Sequence, residues 1–326
     1  MVELISHKEY EILYALFNTV YGLGEQSIPP LIEAGARTIN DLKNKYSGLL
    51  LKKPASKKYL KYYDELQERI PRSEICDHET YLKKLLSDFK IDIVGSFRRG
   101  AETSGDIDVL FTTINNKTFS STVNYIDVIK ATLTSNHYLL DTLKSGKSVM
   151  NGIVKLNTAS RARRIDFFFS HPDLYQFALL AKTGDVDFNK SLRHCVGEKN
   201  TNKDNPYLLS EYGIRYKDVN DNKKFINVVD PVNFSDVPSI FKYTGIPSRD
   251  PKDMIGHFPC NDTDERRKKK STSSSSKKKS TRSSSKKSMD HKKRKVESSS
   301  SRTYLDLTRN ESNSEQTIDL LDFMAD

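Results

Sequence analysis

Three aspartates carry the chemistry this sequence can do. Asp106-Ile107-Asp108 stands at the start of an apolar run, Val109 to Phe111. Side chains alternate along a strand, so the two carboxylates share one face about 6–7 Å apart while Ile107 points into the core. A shared carboxylate face suits a bridging cation, although the pattern alone is also that of a solvated turn. Asp166 lies inside RARRIDFFF (161–169), where a charge is costly to bury without a cation. Arg164, two residues away on the same strand face, is one candidate partner. The alternative is that Asp106, Asp108 and Asp166 together hold two divalent ions, an arrangement for in-line displacement at phosphorus with metals about 4 Å apart. Carboxylate and water ligands favour Mg²⁺, with Mn²⁺ able to substitute.

The segment before the first pair complements this reading. Ile91 to Val94 reads as a strand, followed by Gly95-Ser96 and Phe97-Arg98-Arg99-Gly100 as a turn and helix start. Gly95 permits close backbone approach, Ser96 supplies a hydroxyl, a helix N-terminus offers amides, and Arg99 adds a fork of donors. All four suit a triphosphate. No GK[ST] is present, so this is not a Walker A loop.

The elements that must position these residues follow from periodicity. Helices are expected over Lys8–Val20, Pro29–Ala34, Ala36–Tyr46 and Lys57–Arg69, making residues 1–70 one helical module. A helix over Ser73–Phe89 leads into strands at Ile91–Val94 and Val109–Phe111, a helix at Tyr125–Thr134, and strands at Lys147–Leu156 and Arg163–Phe169. That order predicts an α+β sheet domain over 71–180. Helical candidates at Pro172–Ala181 and Asn189–Cys195 and a hairpin around Tyr212–Val229 place a final subdomain at 181–260.

The formal charge is +10, but 15 basic residues and one acid lie between Arg266 and Lys295, leaving −4 elsewhere. From Ser271 to Ser288 every residue is Ser, Thr, Lys or Arg, a composition with nothing to bury, so 261–326 is expected to be disordered. Lys292–Val296 is a basic run of the type read by nuclear import receptors, and the whole tail suits nonspecific DNA contact. The apolar residues among acids at the end, Tyr304 to Phe323, read either as a short partner-binding helix or as a solvated segment. Cys76, Cys195 and Cys260 are odd in number and far apart, which predicts a reducing compartment without disulfide or structural zinc. No stretch approaches 18 apolar residues, so no membrane partner is expected.

GSFRRGAETSGDIDVL (95–110) resembles the family X DNA polymerases, the group of DNA polymerase beta. The likeness extends through VYGLGEQSIPPLIEAGARTINDL (20–42), ERIPRSEI (68–75), RRIDFFF (163–169), TGDVDFNKSLR (183–193) and, more loosely, EYGIRY (211–216). The resemblance implies an α+β fold: a helix-hairpin-helix module, a nucleotidyltransferase palm with a mixed sheet, and a small C-terminal α/β subdomain. It makes Asp106, Asp108 and Asp166 the metal-binding and catalytic carboxylates, with Asp166 activating a primer 3′-hydroxyl. Arg72, Gly95, Ser96, Arg99, Gly105, Gly184 and Asn189 become the nucleotide-binding set, and Arg164, Lys190 and Arg193 contact DNA. The Tyr21-Gly22-Leu23-Gly24 turn corresponds to the family's DNA-backbone grip, in which Gly22 and Gly24 bring amides to phosphates. Carbonyls of Asn18, Val20 and Leu23 would hold K⁺ or Na⁺.

Two departures qualify the likeness. About 17 residues precede the hairpin, too few for the family's additional lyase domain, so no 5′-deoxyribose phosphate lyase activity is expected. Ala181-Lys182 stands where many members carry Tyr-Phe before Thr-Gly, which leaves room beside the sugar and relaxes discrimination against ribonucleotides. The expected function is a monomeric, nuclear, gap-filling repair polymerase using deoxynucleoside triphosphates, with repair proteins as further partners through the tail. A template-independent terminal or RNA nucleotidyltransferase and a non-catalytic DNA-binding scaffold are the rival readings.

Overall fold

Two capping boxes set the first helices: Ser6 with Glu9, and Thr38 with Asp41, each satisfying orphan amides at a helix start. In the computed structural model, which describes residues 5–114, 117–199, 207–218, 221 and 224–260, the helices are α1 (His7–Asn18), α2 (Ile28–Glu33), α3 (Ile39–Lys43), α4 (Pro54–Lys61) and α5 (Tyr63–Leu66). α3 is shorter than expected because Arg37 and Thr38 both donate their amides to the Asp41 carboxylate and so form the cap. The helix expected over Lys57–Arg69 starts earlier and is interrupted at Tyr62.

The chain continues through β1 (Ile70–Pro71), α6 (Arg72–Leu85), β2 (Phe89–Ile93), the single turn α7 (Gly95–Arg98), β3 (Thr103–Ser104) and β4 (Ile107–Thr113). Next come α8 (Tyr125–Ser135), β5 (Leu139–Ser145), β6 (Val149–Val154), β7 (Arg163–Phe169) and α9 (Tyr175–Thr183). Last are α10 (Val186–Lys199), the antiparallel strands β8 (Leu208–Ser210), β9 (Gly213–Lys217) and β10 (Phe225–Asn227), and α11 (Val237–Thr244). The protein is α+β, built on a mixed five-stranded sheet of order β2-β4-β7-β6-β5, in which only β4 and β7 run parallel.

Alternation on β4 and β7 gives the sheet two different faces. Ile107, Val109, Phe111, Ile165, Phe167 and Phe169 are buried on one, where Phe111 meets Phe89, Phe167 and Phe169 edge to face. On the other, Leu110 and Phe168 pack against Tyr175, Ala178 and Leu179 of α9. Asp108 and Asp166 share that second face, toward the end where the apolar cover gives way. A separate apolar cluster joins α1–α5 to Leu143, Ile153 and Ala162 at the β5–β6 edge. A third joins α9, α10 and α11 to Met254 and Phe258.

β7 is anchored at its start by an ion pair. Arg163, 4% exposed, donates from Nε and Nη2 to the two Glu74 oxygens at 2.6 and 2.7 Å, and from Nη1 to the Glu68 carbonyl at 3.1 Å. Burial pushes the neighbouring His78 imidazole down to about 4, which leaves it neutral and bonded to Tyr138. Glu74→Ala therefore strands a buried guanidinium and is expected to cost about 3–5 kcal/mol. Urea unfolding would measure this, and a loss near zero would mean that Arg163 finds water or another acceptor.

One expectation is overturned. Cys195 and Cys260 form a disulfide with Cα atoms 5.0 Å apart, leaving Cys76 free and exposed. Sequence spacing concealed it because residues 65 apart meet only when the final segment lies along α10. There Phe258 donates its amide to Ser191 Oγ at 2.7 Å and its ring meets Phe188 edge on. Among the described residues no helix is long and apolar enough to cross a membrane. The basic tail, the import-type run Lys292–Val296 and the acidic end lie outside the described residues.

Candidate active site

The parallel ladder brings the aspartates together. Register sets Ile107 opposite Ile165 and Asp108 opposite Asp166, with Asp106 just before β4, so each offers an oxygen within 4.8 Å of the others. The same register puts Arg164 beside Asp106. Its guanidinium forms an ion pair with Asp106 and lends Asp166 only its field, so the candidate pairing of Arg164 with Asp166 gives way to Arg164 with Asp106.

The carboxylates sit in conflict with their surroundings. Burial, and then the charge of Asp166, push Asp108 up to about 6 against the opposing fields of Lys182 and Arg99. Burial also raises Asp166, against a side-chain hydrogen bond from Asn151 and the field of Arg164. Asp166 Oδ1 is buried with no hydrogen-bond partner. An all-oxygen donor set, mutual repulsion and an orphaned carboxylate oxygen fit a hard divalent cation.

The Gly95 turn closes on this cluster. Gly95 has φ +60°, and a Cβ there would stand 2.0 Å from Asp108 Oδ2. Ser96 donates to Ser104 Oγ at 2.8 Å, so its hydroxyl is fixed against β3. Arg72 lies on the Phe97 ring at 4.0 Å and donates to the Phe97 carbonyl, bracing the turn from α6. Arg99 donates to the Thr183 carbonyl at 2.7 Å. That contact joins the turn to Gly184, whose carbonyl, with that of Ala181, accepts from Asn189 Nδ2, both at 2.8 Å. Gly105 is exposed, with open space where a Cβ would stand.

Lys190 and Arg193 are exposed on α10, and Arg193 lines a recess with Ala181, Asn189 and Ser210. At the other end of the chain, Gly22 (φ +81°) and Gly24 lie in the turn after α1, with Asn18, Val20 and Leu23 around it. The Val20 carbonyl accepts from the Leu23 amide at 3.1 Å.

Three further residues enter the site: Asn151, which sequence reasoning passed over, and Tyr21 and Lys182, which stood out only for the glycine turn and the sugar side. Asn151 on β6 faces Asp166 across the ladder, and the Tyr21 hydroxyl donates to Asn151 Oδ1 at 3.3 Å. Lys182 sits 4.3 Å over the Phe168 ring and pairs with Glu211 at 2.8 Å. An asparagine within the apolar run Val149–Val154 was the available signal, because a half-buried amide on a core strand needs partners.

A mixed sheet whose parallel pair carries Asp108 and Asp166, with Asp106 just before it and a glycine turn beside it, is consistent with a nucleotidyltransferase palm. Residues 69–172 match the family model for the DNA polymerase beta palm. The chain is similar to DNA polymerase lambda of Arabidopsis thaliana, 31% identical over 211 residues, covering 61% of this chain and 38% of that protein. Similarity to DNA polymerase lambda of Rattus norvegicus is 26% over 247 residues, 72% of this chain and 41% of the relative. DNA nucleotidylexotransferase of Xenopus laevis is 27% identical over 248 residues, 65% of this chain and 48% of its own. These likenesses support the resemblance to the family X DNA polymerases. The chain spans less than half the length of each of these relatives.

Proposed function

We propose that this chain is a template-directed DNA polymerase of the gap-filling repair type, adding a deoxynucleotide to a primer 3′-hydroxyl and releasing pyrophosphate. The observation that carries the reading is the buried, unpartnered Asp166 oxygen within a three-carboxylate cluster closed by the Gly95 turn. Asp106, Asp108 and Asp166 would hold two Mg²⁺ ions, which when bound lower the pKa of the 3′-hydroxyl and neutralise the triphosphate. Asp166 faces the primer end. Ser96, Arg99 and the amides at Gly95 receive phosphate oxygens, and Arg72 keeps their turn in place. Asn189, held by two carbonyls, orients the base from its minor-groove side, and Lys190 and Arg193 lie toward the template.

The turn at Gly22–Gly24 serves as a helix-hairpin-helix grip on the DNA backbone, with Asn18, Val20 and Leu23 carbonyls around a K⁺ or Na⁺. The import-type run Lys292–Val296 supports action in the nucleus. A second reading, template-independent transfer, is favoured by the likeness to DNA nucleotidylexotransferase and by the recess beside Ala181, which also leaves room for a 2′-hydroxyl.

One assay separates these readings. A one-nucleotide gapped duplex with labelled primer is offered each deoxy- and ribonucleotide singly with Mg²⁺, beside a single-stranded primer. We expect addition of the complementary nucleotide only, with measurable use of the matching ribonucleotide that Ala181→Tyr suppresses. Extension of the single strand would favour terminal transfer, and no extension would leave a DNA-binding role.

A further inference from the structure

Tyr21 belongs to the glycine turn by its backbone and to the carboxylate cluster by its side chain. Its carbonyl accepts from Ser56 Oγ of α4 at 2.8 Å, and a Cβ on the adjacent Gly22 would meet that same oxygen at 2.9 Å. Its ring stacks on Tyr59, with centroids 6.2 Å apart and planes at 26°, and Tyr59 in turn meets Tyr63 edge on. Tyr63 shares a 2.7 Å hydrogen bond with Thr19 at the end of α1. The turn is thus held from both flanks, and the Tyr21 hydroxyl is directed at the sheet. There it donates to Asn151 Oδ1, and Asn151 stands opposite Asp166 in the β6–β7 register, where its amide favours the ionised carboxylate.

We propose that Tyr21 and Asn151 are positioning residues, a two-link relay that fixes the Asp166 carboxylate and couples its orientation to DNA seated on the Gly22 turn. This rests on the polymerase reading above and extends it to two residues outside the carboxylate, phosphate and base-contacting sets. The physical need is specific. A carboxylate with one oxygen left unpartnered for a cation has to be oriented by bonds to the rest of the group, and such outer partners tune the ligand they hold. Asn151 suits the task because its amide accepts on one side and donates on the other. Tyr21 suits it because a rigid ring clamped by Tyr59 transmits displacement of the turn, where a flexible side chain would absorb it.

Tyr21→Phe removes the hydroxyl and keeps the stacking ring, Asn151→Leu removes the amide, and Asn151→Ser gives a smaller second variant should the leucine unfold the edge. Three quantities are read on the full chain: single-turnover kcat and KM on the gapped duplex, DNA affinity by fluorescence anisotropy, and Mn²⁺ affinity by electron paramagnetic resonance with and without that duplex. We expect each single variant to lose about 10-fold in kcat and in Mn²⁺ affinity, as removal of outer-shell partners does, with DNA affinity unchanged. The double variant should be no worse than the poorer single one, since both act through one chain of bonds. In the wild type the duplex should tighten Mn²⁺ binding, and in Tyr21→Phe that tightening should vanish. Wild-type kcat and Mn²⁺ affinity in the single variants, multiplicative losses in the double, or a parallel fall in DNA affinity would each overturn the relay. A wild type that binds Mn²⁺ and adds no nucleotide overturns the polymerase reading alone, and the Mn²⁺ titrations still decide the relay.

Discussion

Asp108→Asn is expected to reduce nucleotide addition to background while making the cation-free protein more stable. Both effects come from one cause. Burial and the neighbouring Asp166 raise this carboxyl to about 6, whereas in the unfolded chain it titrates at about 3.9. A carboxyl whose folded value is raised adds nothing below the unfolded value, where both states are protonated. It opposes folding increasingly from about pH 4 to 6, and its full cost persists above that. Removing the charge should therefore raise stability by about 1–3 kcal/mol at neutral pH, with no gain at about pH 3.5. The same repulsion is what a divalent cation relieves, so Mg²⁺ or Mn²⁺ should raise the melting temperature of the wild type at pH 7.5 and leave the variant unmoved. Asp106→Ala and Asp166→Ala should lose activity equally. A variant with wild-type turnover, or a melting temperature that Mg²⁺ raises equally in wild type and Asp108→Asn, would remove Asp108 from the cation site.

How far the sequence foretold this arrangement depends on how local each signal was. β7 was legible to the residue, Arg163–Phe169, because its alternation is strict and its apolar residues are aromatic. β5 was missed because its seven residues, LLDTLKS, alternate poorly: it lies at an edge, and its Asp141 serves Lys58, Lys61 and Tyr62 from the helical module. α11 was passed over although Asp236 caps it and Gly245 ends it in a left-handed turn. Its two-proline neighbourhood masks a short apolar stripe. At the site, the three aspartates were readable from type and spacing, since a carboxylate amid aromatics demands an explanation. Which of them Arg164 would serve was not, because that depends on the interstrand register. Asn151, Tyr21 and Lys182 reach the carboxylates from a strand, a turn and a helix 15 to 145 residues from Asp166, and no local pattern announces such meetings. The Cys195–Cys260 bond was hidden for the same reason.

Gly95→Ala should be nearly as damaging as losing a carboxylate, although it removes no functional group. Gly95 occupies the left-handed region at φ +60°, which costs an alanine about 1–2 kcal/mol. The larger effect is steric. The added methyl would stand 2.0 Å from Asp108 Oδ2 and 3.0 Å from its Cγ, far inside contact distance, so the turn or the carboxylate has to move. Asp108 is fixed on β4 by the Val94 amide bonded to its carbonyl at 2.9 Å, and the side chain is the freer part. It should swing out of the cluster, and a displacement of about 1 Å at a reacting centre costs about 100-fold in rate. Gly100→Ala separates the two contributions. At φ +87° it carries the same backbone strain, with open space where its Cβ would stand. Melting temperatures should therefore fall by similar amounts in the two variants, while nucleotide addition and Mn²⁺ affinity fall only for Gly95→Ala. Equal activities would mean that Asp108 accommodates the methyl without leaving its place, and that the glycine is there for the backbone alone.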